Sequence, residues 1–210
     1  MCVFLGAQRP RDALVRIEQP GLLRDRAAAL DEFDLALRLR SGTAAIGEIY
    51  AFISGLYFRG KLAYTGVFGA PPPGVAPTMV IVPGMGLVSP ETILSYEQIQ
   101  STANVPVDAD NPAFSEPFLR DVALLDRQAD PDCRYVLLGS IATDKYTRAL
   151  LQVFGDRLLF PAEFVGRGDM SRGGLMLRCA RAADELSYIA VQGATRRGNR
   201  PPKLKPSRQT

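Results

Sequence analysis

The stretch from Arg134 to Arg178 constrains the fold most. Two short apolar runs, Tyr135 to Leu138 and Arg157 to Phe160, each end where polar residues and glycines begin, and a helix-like segment separates them. Apolar runs of this length bounded by turn signals read as strands buried on both faces, so the stretch reads as a β-α-β unit. In open α/β sheets ligands bind just beyond the carboxyl ends of the strands. Gly139-Ser140 and the segment Glu163 to Gly174 are therefore expected side by side at one mouth, which is the first place to look for a site.

The rest of the chain supplies layers for that unit. Residues 1 to 23, with Pro10, Pro20 and Gly21 as breakers, read as an irregular N-terminal arm. From Arg24 to Arg40, residues Ala29, Leu30, Phe33, Leu37 and Arg40 fall near one helical stripe, widened by Leu23, Leu35 and Leu39, and Ser41-Gly42 stops it. A second helix is expected over Ile46 to Thr65, carrying Ile49, Phe52, Ile53, Leu56 and Leu62 at helical spacing, with Gly55 and Gly60 as weak points. Its aromatics Tyr50, Tyr57, Phe58 and Tyr64 suit helix packing better than base stacking. After the rigid connector Ala70 to Gly74, Thr78 to Val82 reads as a central strand and Val105 to Val107 as a short one. A helix from Pro112 or Phe114 to Gln128 turns Phe118, Val122 and Leu125 inward, and a glycine-rich helix from Leu175 to Leu186 precedes a closing strand at Tyr188 to Val191. The expected architecture is α/β: a three-layer α/β/α sandwich with a mainly parallel four- or five-stranded sheet.

Composition narrows the chemistry. The chain has 210 residues, 47% of them hydrophobic and 22% charged, which suits one buried domain with tails. It contains no histidine, so histidine acid/base catalysis, Ser-His-Asp triads and histidine-ligated metals are excluded within the chain. Cys2, Cys133 and Cys179 are odd in number and widely spaced, which argues against a disulfide framework and a zinc site and for a cytoplasmic protein with reduced thiols. No apolar run approaches the ~18 residues of a membrane span, and the short apolar start is unlike a signal peptide, so no membrane partner is expected. Six of the last 17 residues are basic and none is acidic, so removing them takes the net charge from +3 to −3. That tail, expected to be disordered, either touches phosphates or merely solubilises.

Several segments carry candidate chemistry, each with a plainer explanation beside it. Gly84, Met85 and Gly86 follow a strand and could expose backbone N–H groups to a ligand, although a plain tight turn explains them better. Asp108, Asp110 and Asn111 could hold a ligand, or Asp110 or Asn111 could cap a helix. In the GRGDMSRGG run, Arg167 and Arg172 could hold phosphates while Met170 wedges into a base stack. The plainer reading pairs those arginines with Glu163 and Asp169 on a solvated loop and buries Met170 in packing.

Taken in order, these pieces resemble the uracil-DNA glycosylase superfamily from about Phe58 to Val191. The matching pieces are Phe58-Arg59, Pro71 to Pro73, Met79 to Gly86 (MVIVPGMG), Val105 to Asp110 (VPVDAD), Leu137 to Lys145 (LLGSIATDK) and Leu159 to Gly174 (LFPAEFVGRGDMSRGG). The resemblance implies a glycosylase-like domain at 58–193, flanked by N-terminal helices at 1–57 and a basic tail at 194–210. It implies a pocket floored by Pro83 to Leu87, with Asp108 or Asp110 where the family's base-reading Asn lies, and a loop from Arg167 to Gly174 facing a DNA backbone. Family members place an Asp or Asn in the first loop and a His in the last; here the first loop offers Gly84, Met85 and Gly86, and the last has no histidine.

Three functions remain open on these residues. The first is a nucleic-acid or nucleobase-binding protein, cleaving an N-glycosidic bond with Glu163, Asp169 and Glu91 as candidate carboxylates. Arg167, Met170, Ser171, Arg172, Arg196 and Arg197 would then face DNA or RNA, and no cofactor or metal is called for. The second is a non-catalytic binding or assembly module that kept the fold. The third is a small-molecule N-glycosidase or deoxyribosyltransferase using Glu91 or Glu163.

Overall fold

The computed structural model describes residues 2–5, 34–196, 198–202 and 204, and for 2–5 the backbone alone. The architecture is mixed α/β. Strands β2 (Thr78–Val82) and β3 (Gly86–Val88) form an antiparallel hairpin, and β4 (Tyr135–Leu137), β5 (Leu158–Pro161) and β6 (Tyr188–Ala190) form a second group. Strand β1 (Cys2–Leu5) pairs in parallel with β2 on one side and β4 on the other, giving the order β3-β2-β1-β4-β5-β6. Strands β2, β1, β4 and β5 are mutually parallel, and the edges β3 and β6 run against them.

That arrangement corrects two strand expectations. The start of the chain is not an irregular arm throughout, because Cys2–Leu5 occupies the middle of the strand order. Val105 to Val107 is not a strand. Pro106 has no N–H to donate to a ladder, and its carbonyl instead accepts from the Asn111 side chain at 2.8 Å. The parallel neighbour of β2 is β1, from the start of the chain.

The helices form where their apolar stripes meet this core. Residues 34–40 are helical with Leu35, Ala36 and Leu39 buried, whereas Leu37 is 50% exposed and Arg40 is exposed. The expected stripe through Leu37 and Arg40 is thus turned outward; its members Ala29, Leu30 and Phe33 lie outside the described residues. The single helix expected over Ile46 to Thr65 is two, α1 (Ile46–Ser54) and α2 (Leu56–Phe68), because Gly55 between them has φ +53°, outside the helical region. Helix α3 is Tyr96–Ala103, capped by Ser95, and α4 is Pro112–Gln128, with Phe114, Phe118, Val122 and Leu125 buried at helical spacing. Helix α5 (Asp144–Phe154) carries the chain from β4 back to β5 and buries Tyr146, Leu150 and Phe154. The Phe154 ring stacks on Tyr135 with centroids 3.7 Å apart, fixing α5 over β4.

Helix α6 spans Asp169–Ala182, so of the run expected as a loop before Leu175 the part from Asp169 to Gly174 is its first turns. It lies against α2 with backbone on backbone. A Cβ added at Gly60 would come within 2.6 Å of the Gly173 carbonyl oxygen, and one at Gly173 within 2.6 Å of the Leu56 oxygen. Glycines that look like weak points in each helix are therefore the contact surface between them. Tyr64 ties the far end of α2 to the second strand group: its hydroxyl accepts the Leu186 N–H at 2.9 Å and pairs with the Tyr188 hydroxyl at 2.6 Å.

At the amino end of α4, the Asn111 side-chain oxygen accepts the Ala113 N–H at 3.2 Å, and Pro112 sits at the first helical position, where a missing N–H costs nothing. Asn111→Ala should lose this cap and the bond to Pro106, lowering stability by about 1–2 kcal/mol. Urea denaturation checks it; an unchanged midpoint would show that the cap contributes nothing.

Candidate functional site

The carboxyl ends of the parallel strands define one rim. At β4 the chain passes into Leu138, whose carbonyl accepts the Tyr57 hydroxyl at 3.2 Å. Tyr57 is buried, and burial raises its hydroxyl to about 12 against the opposing charge of Arg172. Arg172, on the first turns of α6, is held in turn by the Phe164 carbonyl after β5, through Nε at 3.2 Å and a terminal nitrogen at 3.0 Å. Its guanidinium carbon lies 5.4 Å from the Phe164 ring centroid. One helix face of α2 and the start of α6 thus bridge the exits of β4 and β5.

Into this junction α2 projects Lys61. The residue is 1% exposed, and its ammonium lies 4.2 Å from the Tyr57 ring centroid and 5.5 Å from that of Phe58. Among the described residues it makes no ion pair and no hydrogen bond. Burial pushes its pKa down to about 7; Asp169 pulls the other way, and Arg172 and Lys145 add to the depression. That Asp169 side chain is 70% exposed, sits 3.8 Å from Arg172 and makes no ion pair with Lys61. Sequence reasoning missed Lys61, although it was visible as the one charge on the stripe Tyr57, Lys61, Tyr64, Phe68, spaced 4, 3 and 4 residues apart on one helix face.

The candidate residues divide between two rims. Glu163 and Asp169 lie beyond the carboxyl end of β5, whereas Glu91 follows β3 and takes a hydrogen bond from the Ser89 hydroxyl. It shares a cleft of about 470 Å³ with Thr78, the first residue of β2, and so lies at the amino end of that strand. The three carboxylates therefore do not converge. One Glu163 oxygen accepts the Ser187 N–H at 3.1 Å, and the other is buried with no hydrogen-bond partner among the described residues.

Gly84, Met85 and Gly86 make the turn of the β2-β3 hairpin, closed by the Met85 N–H donating to the Val82 carbonyl at 3.1 Å. Gly86, at φ +91°, lies so close to α4 that a Cβ would run into the Asp121 carboxylate and come within 2.7 Å of the Pro117 oxygen. That carboxylate accepts the Leu87 N–H at 2.9 Å. The turn faces α4 across a cleft of about 440 Å³ shared with Val105 and Ala113. Asp108 accepts the Asp110 N–H at 3.0 Å, Asp110 pairs with Arg148, and Asn111 is the α4 cap. Ser140 accepts the Ala142 N–H at 3.2 Å beyond β4. Each of these polar groups already serves a local turn or cap, except Asp110, which is held by Arg148.

A second feature lies on the outer side of α6. Backbone at Gly198 and Asn199 packs on Gly166, the Pro202 carbonyl is 3.5 Å from an Arg167 nitrogen, and Leu204 lies 3.7 Å from the Cβ position of Gly174. Between this segment and α6 runs a groove of about 360 Å³ lined by Arg167, Ser171, Arg178 and Arg200, with Met170 at its lip, 66% exposed. No acidic side chain lines it among the described residues. Arg167 also bonds the Glu163 carbonyl at 2.9 Å and the Ser171 hydroxyl at 3.3 Å, which presets its guanidinium. Arg196 lies elsewhere, paired with Asp144 at 2.6 Å, and Arg197 is outside the described residues.

Compared with family models, curated proteins and solved structures, the chain matches none. Among those described, no group of three or more Cys, Asp or Glu side chains could hold a metal ion, and no helix is long and apolar enough to cross a membrane. Cys133 and Cys179 are buried.

Proposed function

We propose that the protein binds nucleic acid along the groove between α6 and the basic tail, on a three-layer α/β/α scaffold like that of the uracil-DNA glycosylases. The observation that carries the reading is the groove itself: three arginines, no acid among the described lining residues, and an exposed methionine at the lip. Arginines held at fixed positions bind phosphates while an apolar side chain can enter a base stack. The local charge also favours it, because the tail carries six basic residues on a body of opposite net charge. The parallel order β2-β1-β4-β5 is compatible with the scaffold.

Binding without base excision is favoured over a rebuilt glycosylase by the separation of Glu91 from Glu163 and Asp169. A carboxylate near the sugar and a donor near the base must share one pocket, and here the carboxylates sit at different rims or hold backbone.

The test is fluorescence anisotropy of a labelled single-stranded DNA and its RNA counterpart across a salt series. Affinity should fall linearly with salt on logarithmic axes, and each of Arg167→Gln, Arg178→Gln and Arg200→Gln should reduce the slope by about 0.7–1. Met170→Ala should weaken binding without changing the slope. Absence of binding at low salt, or salt slopes untouched by all three arginine variants, would refute the groove.

A further inference from the structure

We propose that the cleft of about 470 Å³ shared by Glu91 and Thr78 binds a small organic cation, an ammonium group joined through an apolar body to a second hydrogen-bonding group. The cleft has no residue in common with the arginine groove and does not depend on nucleic-acid binding there. It is lined by the first turn of α1, the last turns of α2, the segment entering β2 and the segment leaving β3. Two of these pieces are locked together: the Gly47 N–H donates to the Pro90 carbonyl at 2.8 Å, and a Cβ on Gly47 would lie 2.9 Å from that oxygen. The volume is that of small-molecule sites, roughly 300–1,000 Å³.

The charge of the cleft has one sign. Glu48 and Glu91 are its only charged lining residues among those described. Glu48 is committed, since its two oxygens take the Arg38 guanidinium at 2.8 Å each and one of them also accepts the Ala45 N–H at 3.0 Å. Glu91 makes no ion pair among the described residues, and the Ser89 hydroxyl occupies only one of its oxygens. The carboxyl end of α2, the negative end of its dipole, opens on the cleft through Thr65, Gly66 and Gly69. An anion finds no matching donor at the amino end of α1, because the Ile46 and Gly47 N–H groups already donate to the Thr92 and Pro90 carbonyls at 2.9 and 2.8 Å.

A second observation, independent of charge, points to a ligand. Thr78 is 6% exposed and lines the cleft, yet its hydroxyl has no hydrogen-bond partner among the described residues. The other buried threonines, Thr65, Thr102 and Thr147, each donate to a carbonyl one turn back in their own helix. A strand offers no such carbonyl, and a hydroxyl this deep ordinarily has a partner. The rest of β2 is Met79, Val80, Ile81 and Val82, so packing alone would be met by valine at position 78. What threonine adds is a hydrogen-bonding group facing open space. Leu62, Ala76, Pro77 and Pro90 supply apolar wall. Val67, next to Gly66, and Ile93, bridged to Ala45, extend it as half-exposed side chains. Glu91 holds the ammonium, Thr78 pairs with the second polar group, and the body rests on the apolar wall.

The experiment titrates the full 15N-labelled chain with tyramine, which carries an ammonium and a hydroxyl on a flat apolar body, and follows the amide resonances. Shifts should gather at Gly66, Gly69, Thr78 and Glu91 and saturate with a Kd of roughly 1–10 mM, as suits a ligand of this size. Glu91→Gln should weaken binding about tenfold and Thr78→Val about fivefold. Both changes keep side-chain shape, so the spectra without tyramine should overlay on the native one away from the cleft. 4-Hydroxyphenylacetate, the same body with a carboxylate in place of the amine, should leave the four resonances unmoved. Tyramine shifts that miss the cleft, equal binding of the two compounds, or native affinity in the Glu91→Gln variant would overturn the proposal. Native affinity in Thr78→Val would overturn the part assigned to its hydroxyl.

Discussion

Gly173→Ala should lower the stability of the protein by about 3 kcal/mol, a shift in Tm of roughly 6–12 °C for a domain of this size. The added carbon would lie 2.6 Å from the Leu56 oxygen and 2.8 Å from the Tyr57 Cα, both backbone atoms that move only if α2 and α6 separate. Gly60→Ala meets Gly173 from the other side at 2.6 Å and should cost a similar amount. The two losses should not add, because either one already forces the helices apart. Gly66 on the same helix gives the control: a Cβ there meets nothing within 4 Å, so Gly66→Ala should be neutral or stabilise by up to ~1 kcal/mol. Thermal melts of the three variants decide it. Equal effects at Gly173 and Gly66 would mean that the helix contact is not as close as described.

Lys61→Met should raise stability, and by an amount that depends on pH. The folded-state value near 7 lies well below the ordinary lysine value of 10.5. Between those two pH values the unfolded chain binds a proton that the folded chain has released, so stability of the native protein rises with pH through that window. Below it both states are protonated and the full cost of the buried charge is felt; above it both are neutral and the cost is gone. Methionine removes the cost at every pH. The variant should therefore be more stable than the native protein by roughly 3–5 kcal/mol at pH 6, and the gap should shrink by about 1.4 kcal/mol per pH unit above 7. Urea denaturation of both proteins from pH 6 to 10 reads the difference, in which contributions from other groups largely cancel. A gap that does not vary with pH would show that Lys61 is not buried as a charge.

The two predictions meet at the same junction, since the Gly60–Gly173 contact sets how closely α6 brings Asp169 and Arg172 to the Lys61 amine. A variant that opens the helix pair should admit water and return the lysine toward its solution behaviour. Stability and the chemistry of the rim are coupled through backbone proximity.

How far the sequence revealed this architecture depended on what each segment signals alone. The unit β4-α5-β5 was legible to within a residue or so, because parallel strands buried on both faces read as uninterrupted apolar runs. The β1 strand was not: four apolar residues at the start of a chain carry no periodicity, and only pairing with β2 and β4 makes Cys2–Leu5 a strand. Val105 to Val107 had the residue types of a strand but a proline where a donor was needed. The start of α6 was hidden by composition, since Gly173 and Gly174 look like loop residues, and the close approach of α2 that requires Gly173 is a long-range fact.

The candidate site was legible in part. The sequence pointed to the mouth of the β-α-β unit and to Arg167, Met170, Ser171 and Arg172; Arg167, Met170 and Ser171 line the groove, while Arg172 turns inward to the Phe164 carbonyl. Asp108, Asn111, Gly84 and Gly86 carried plainer explanations as turn and cap residues, and the structure gives them those roles, whereas the Asp110 side chain pairs with Arg148 instead of capping a helix. Lys61 was overlooked because a single lysine in an amphipathic helix usually reaches solvent, and only the aromatic floor and α6 above it keep this one inside.

Following the side-chain 13Cε resonances of the four lysines from pH 5 to 11 tests most directly whether an uncompensated amine lies at the centre of the rim. The prediction is a Lys61 titration with its midpoint near 7, lost in Lys61→Met. A Lys61 midpoint at the ordinary lysine value of about 10.4 would contradict it.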